Sequence, residues 1–174
     1  MFIEKKHRFP LTESIIAFVV FIFHYTSLID ISIKNVSPFI LLPLIVGISM
    51  YRGELCGLIF GAVCGFACDA VSASTVCFNT LTLMFTAFVV GLLAKNIFNK
   101  NLPGAAALSL LSSAAYHFLK WFLTYFLPDV DGKVYVFLWQ IIPSAIYTAA
   151  FIIPFFYLEK LLTEERKKKN SQSL

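Results

Sequence analysis

Residues 52–69 read RGELCGLIFGAVCGFACD, and in them Gly53, Gly57, Gly61 and Gly65 recur at every fourth position, a step that then reaches Asp69. Residues four apart stack on one side of a helix, so four glycines in that register leave a bare groove into which another helix backbone can sink. In water so much glycine weakens a helix. In lipid, where helices associate by close packing, rows of small residues are the usual device. Each step of four overshoots a turn by about 40°, which winds the groove and suits an oblique, right-handed crossing. At about 1.5 Å per residue the stretch covers roughly 27 Å, close to the hydrocarbon thickness of a bilayer. Arg52 and Asp69 are therefore expected at opposite membrane surfaces, each needing a partner from another segment.

The composition agrees. Of 174 residues, 59% are hydrophobic and 14% charged, with a mean hydropathy of +0.80, more apolar surface than a soluble domain of this size can hide. The net charge of +4 sits between apolar blocks and at the two ends, so it speaks for membrane orientation and not for nucleic acid. Cys56, Cys64, Cys68 and Cys77 form no CxxC pair and read as small hydrophobes; spacing alone does not decide a Cys68 to Cys77 disulfide. The charged start precedes an apolar segment too long for a signal peptide, which is expected to stay as an anchor.

Six spans are predicted, over about 11–29, 37–51, 53–70, 75–97, 104–127 and 134–158. They follow a cytoplasmic N-terminus (1–10) and precede a basic tail (161–174) expected to be solvated and disordered. Residues 11–160 thus form one all-α, six-helix transmembrane bundle. The block from Ser37 to Tyr51 is short and carries Pro38 and Pro43, which fits a thin span or a re-entrant segment. Pro143 and Pro154 are expected to kink the last span or end it early. An even count places both termini on one side. Lys5, Lys6, Arg8, Arg52, Lys95, Lys100, Lys160 and Arg166 to Lys169 fall there, against Lys34 and Lys133 opposite; by the positive-inside rule that side is cytoplasmic.

This orientation gathers His24, Asp69, Asn79, His117, Lys120 and Gln140 in the outer half, whereas Glu13 and Glu54 lie near the basic cytoplasmic loops that can pair with them. A charge at mid-bilayer costs at least a few kcal/mol and normally faces a partner or a cavity. Lys120 is therefore expected to meet Asp69 or a partner protein's carboxylate, with His117 as the other candidate cation; the plainer reading has Lys120 facing lipid and the histidines hydrogen-bonded in the interior. The three histidines are dispersed and lack metal-ligand spacing. Asp69 is a single outer aspartate where aspartyl catalysis needs two. Ser112 and Ser113 lack a glycine-flanked nucleophile setting. The chain reads as a non-enzyme without cofactor or metal.

Arg52, Gly53, Gly57, Gly61, Gly65, Phe66 and Asp69, a Ser-containing turn, then Phe78, Asn79, Leu81 and Gly91 resemble the rod shape-determining protein MreD family, and Pro143, Tyr147 and Pro154 before a basic tail resemble that family's last span. Cys77 stands where a glycine is expected before the aromatic-Asn pair. The resemblance implies a multi-pass protein of the bacterial cell membrane that binds MreC, a single-span partner. Through it the chain would be linked to the MreB filament, RodA and a penicillin-binding protein in peptidoglycan synthesis. The glycine row or the polar outer half would dock the partner, although the row serves equally for packing between the chain's own helices. A six-span bundle with a polar outer half also looks like the substrate-binding S component of an energy-coupling-factor vitamin transporter. That reading requires a closed outer pocket.

Overall fold

Apolar runs interrupted by glycine, proline and charge fold as helices in the computed structural model, which describes residues 11–26, 38–72, 77–96, 101–128 and 132–171. The helices are α1 (Leu11–Tyr25), α2 (Leu41–Arg52), α3 (Glu54–Val71), α4 (Phe78–Asn96), α5 (Leu102–Trp121), α6 (Lys133–Val136), α7 (Ile142–Ala150) and α8 (Ile152–Ser171). A π-helical turn, Phe122–Phe126, extends α5, and another, Phe137–Ile141, joins α6 to α7. No strand occurs among the described residues. Lys5, Lys6, Arg8, Asp30, Lys34, Ser74 and Lys100 lie outside them, as do the side chains of Lys133 and Arg166 to Lys169.

The stretches 54–71, 78–95, 102–126 and 134–164 are long and apolar enough to cross a membrane, whereas α1 and α2 are shorter. The block 37–51, expected as a thin span or a re-entrant segment, gives an α2 of only 12 residues, about 18 Å at 1.5 Å each. Every residue from Leu41 to Met50 is buried. The sequence LLPLIVGISM has no polar face, which is the pattern of a helix covered on all sides. Helices α1, α3, α4, α5 and α8 all pack on it. It, rather than the glycine-rich α3, is the centre of the bundle.

Gly53 forms the whole junction between α2 and α3. Its φ of +94° is open to glycine and strained for other residues, so the chain reverses there without a loop. Gly53 therefore stands outside the helical row in which the sequence placed it. The remaining glycines do make a groove, and this chain fills it. A Cβ on Gly57 would lie 2.1 Å from Ser49 Oγ of α2, one on Gly61 2.7 Å from the Leu83 carbonyl oxygen, and one on Gly65 2.5 Å from Thr80 Cα. Gly91 of α4 returns the contact, its Cβ position lying 2.5 Å from Glu54 Cα. Residue numbers rise along α3 as they fall along α4, so the two run antiparallel in near backbone contact.

The last span is broken where its prolines require. Pro154 has no N–H for the Ala150 carbonyl and its ring crowds that oxygen; α7 ends at Ala150 and α8 begins at Ile152. Pro143 follows the π-helical turn 137–141, which contains the residue four before it. Beyond 158 the expectation of a disordered tail is corrected. Helix α8 continues to Ser171 through Glu, Lys and Arg, all good helix formers.

Candidate functional site

Polar side chains gather at the two ends of the bundle. The Asp69 end is built around the start of α4. Asp69 Oδ1 accepts the Asn79 main-chain N–H at 3.1 Å, and Oδ2 accepts the Thr80 N–H at 2.8 Å and the Thr80 hydroxyl at 2.6 Å. These are the second and third residues of α4, whose N–H groups have no partner within their own helix. A carboxylate also complements the positive end of the helix dipole. Cys77, which directly precedes the helix, has no side-chain oxygen to offer, and the side-chain cap comes from the end of α3.

This engagement corrects the ion pair expected of Asp69. Asp69 is used by α4 and makes none with Lys120 or His117. His117, buried in α5, lies 3.3 Å from both the Thr148 and Ser144 hydroxyls of α7 through Nε2. Thr148 Oγ1 also accepts the Phe39 N–H at 3.0 Å, just before α2. Tyr116 donates its hydroxyl to Asn79 Oδ1 at 2.7 Å and stacks on Phe39 with ring centroids 4.7 Å apart. His24, half-buried at the end of α1, lies edge-on to Phe39 at 5.3 Å. Asn79, His117 and His24 are thus brought together through Tyr116 and Phe39. Gln140 is exposed in the π-helical turn before α7. Lys120 is exposed too, without an ion pair among the described residues.

Serines secure α5 to α7. Ser113 Oγ donates to the Ala145 carbonyl at 2.8 Å, and Ser109 Oγ to that of Ala149 at 3.5 Å. The alanine-rich face of α5 is therefore a packing face. Tyr25 Oη reaches the Cys68 carbonyl at 3.2 Å and ties α1 to α3. All four cysteines are free thiols.

The other end holds the acids expected near it. Arg52 Nε donates to Glu13 Oε1 at 3.0 Å and Nη2 contacts the same oxygen, joining α2 to α1. Lys95 Nζ lies 3.4 Å from Glu54 Oε1, joining α4 to α3. Glu13 is 1% exposed, whereas the Lys95 side chain is 66% exposed, so the first pair is interior and the second is at the surface. Glu159 of α8 is fully buried beside the first pair, and neither of its carboxylate oxygens has a hydrogen-bond partner. The sequence reading ended the last span at 158 and missed it. The signal was present: Glu159 continues the period of Ile152, Phe155 and Phe156, seven, four and three residues earlier, all buried.

Among the described residues no three His, Cys, Asp or Glu side chains are grouped to hold a metal ion. The fold and its two polar ends define a class, an all-helical bundle of membrane-spanning character. Compared with known proteins, the chain matches no family model, no curated protein and no solved structure.

Proposed function

We propose that this chain is a non-enzymatic, multi-pass component of the bacterial cell membrane that acts as MreD does. It docks a single-span MreC-like partner and so links peptidoglycan synthesis to the MreB-like filament, RodA-like and penicillin-binding proteins. Both termini face the cytosol, with α1 and α2 counted among six passes. One observation carries this reading. The residues of the resemblance that look most like a site, Gly57, Gly61, Gly65, Asp69, Asn79 and Gly91, interlock α2, α3, α4 and α5, and Arg52 fastens α1. Such a core gives a rigid scaffold whose partners meet its outward helix faces. The glycine row is thereby assigned to internal packing, and docking falls to those faces.

The test is crosslinking in cells from single cysteines placed at exposed positions of α5, such as Leu111 and Ala115, and of α3, such as Val63, in a background with the native cysteines replaced. Adducts to a single-span membrane protein, together with loss of rod shape on depletion, support the proposal. Loss of the protein without any change of shape overturns it.

The transporter reading draws its support from Lys120, an exposed cation at the Asp69 end without an ion pair among the described residues. Melting in the presence of a vitamin panel separates the two. A true ligand at a hundred times its dissociation constant adds about 2.7 kcal/mol, and a scaffold shows no shift.

A further inference from the structure

Glu159 is the one described residue whose buried side chain has polar atoms left entirely without a partner. It projects from α8 against α2 beside Gly47, whose Cβ position lies 3.5 Å from Glu159 Cγ. The titratable and charged groups facing it are Glu13 from α1, Tyr51 and Arg52 from α2, and Cys56 from α3. Within α8, Lys160 and Glu164 point to the exposed surface. Among the described residues the cation in the chamber is Arg52, committed to Glu13 through Nε and Nη2. Glu13 also accepts the Thr12 hydroxyl, at 3.1 Å.

An ionised Glu159 would be a second carboxylate next to Glu13, buried and without a hydrogen-bond donor among the described residues. A bare buried charge of that kind is among the costliest arrangements in a protein. Two ligands relieve it. A metal ion needs further oxygen, sulfur or imidazole donors, the described residues provide no such group, and the Arg52 guanidinium repels it. A proton needs none of these and leaves the Glu13–Arg52 pair untouched.

We infer that Glu159 is a proton-binding site, its carboxyl holding a proton taken from water at the Arg52 end for as long as α8 is packed against Gly47. Releasing the proton creates a carboxylate that must draw Arg52 away from Glu13, which unties α1 from α2, or leave the interior, which loosens α8 from α2; either move opens the packing of the three helices. The packed state therefore binds one more proton than the loosened state, and packing weakens as pH rises. The inference is independent of which partners the chain serves.

Infrared spectroscopy of the full chain in lipid nanodiscs tests it. At neutral pH the wild-type protein is expected to show the C=O stretch of a protonated carboxyl, displaced when glutamate is carboxyl-labelled with carbon-13. Glu159→Gln should abolish that band while Glu54→Gln, which alters only the surface pair with Lys95, keeps it. Glu159→Gln should also melt at or above the wild-type temperature, and its melting temperature should fall less than that of the wild type as buffer goes from mildly acidic to mildly alkaline. A wild-type spectrum without the band overturns the inference, as does a band that survives in Glu159→Gln. Failure of Glu159→Gln to fold also overturns it, because a neutral amide would be replacing a neutral acid of the same shape.

Discussion

Asp69 caps a helix to which it does not belong: its carboxylate, near the end of α3, holds the Thr80 main-chain N–H of α4 at 2.8 Å. Gly65, one turn earlier, lets the same two backbones close to contact. Close packing and capping therefore act on one joint, and the first prediction concerns it. Asp69→Ala should cost about 2 kcal/mol, the upper range for losing a cap, because the donors it frees are partly buried. Asp69→Asn keeps one acceptor and should cost less. Lys120→Leu should not rescue Asp69→Leu: the two losses should add within about 0.5 kcal/mol, as for independent sites. Chemical denaturation of the four single variants and the double variant in micelles measures these costs.

Glycine positions should separate sharply by environment. Gly65→Ala forces its Cβ on the backbone of Thr80, which cannot swing aside, and should cost about 3 kcal/mol, the upper range for overpacking. Gly47→Ala meets only ordinary contacts of 3.5 Å and more and should stay within about 0.5 kcal/mol of wild type, as at sites free of strain or voids. Gly53→Ala has open space around it but a φ of +94°, and should lose about 1 kcal/mol through backbone strain. Melting temperatures of the three variants, ranked, check the order.

The two ion pairs at the Arg52 end differ in worth. Arg52→Ala strands Glu13, which is 1% exposed. It should cost about 3 kcal/mol, the low end for breaking a buried pair, since the arginine side chain itself keeps 23% exposure. Lys95→Ala removes a surface partner and should cost under about 1 kcal/mol, more at low salt than at high. Equal costs for the two would refute this account of the end.

Tyr116→Phe keeps the stack on Phe39 but loses the 2.7 Å bond to Asn79, for about 1 kcal/mol. Thr148→Val should cost more, about 2 kcal/mol, because the Phe39 N–H that it served is buried and has no water to turn to. Hydrogen exchange at Phe39, faster in Thr148→Val than in Tyr116→Phe, distinguishes the two effects.

Much of this fold is legible in the chain, since apolar runs ended by charge, glycine or proline mark most helices to within a few residues. Hydropathy could not tell the sheathed α2 from a span, because LLPLIVGISM would look the same facing lipid or facing five neighbours. The glycine row announced a close approach without naming its occupant, which depends on the reversal at Gly53. Asp69 was legible as a residue in need of a partner. That the partner would be main-chain N–H groups was hidden, since a backbone donor has no signature in sequence. Glu159 fell to a boundary set too early, at the first charge after an apolar run.

The brevity of α2 bears on how the molecule is made. A segment of about 18 Å cannot reach across hydrocarbon of about 30 Å by itself, and its freed ends would present bare amide groups to the lipid. In a bilayer it would enter with α3 as one hairpin folded at Gly53, beside α1, and be covered further by the helices synthesised afterwards. Biogenesis then depends on the last helix as well as the first, since until α8 arrives one flank of the central rod stays uncovered.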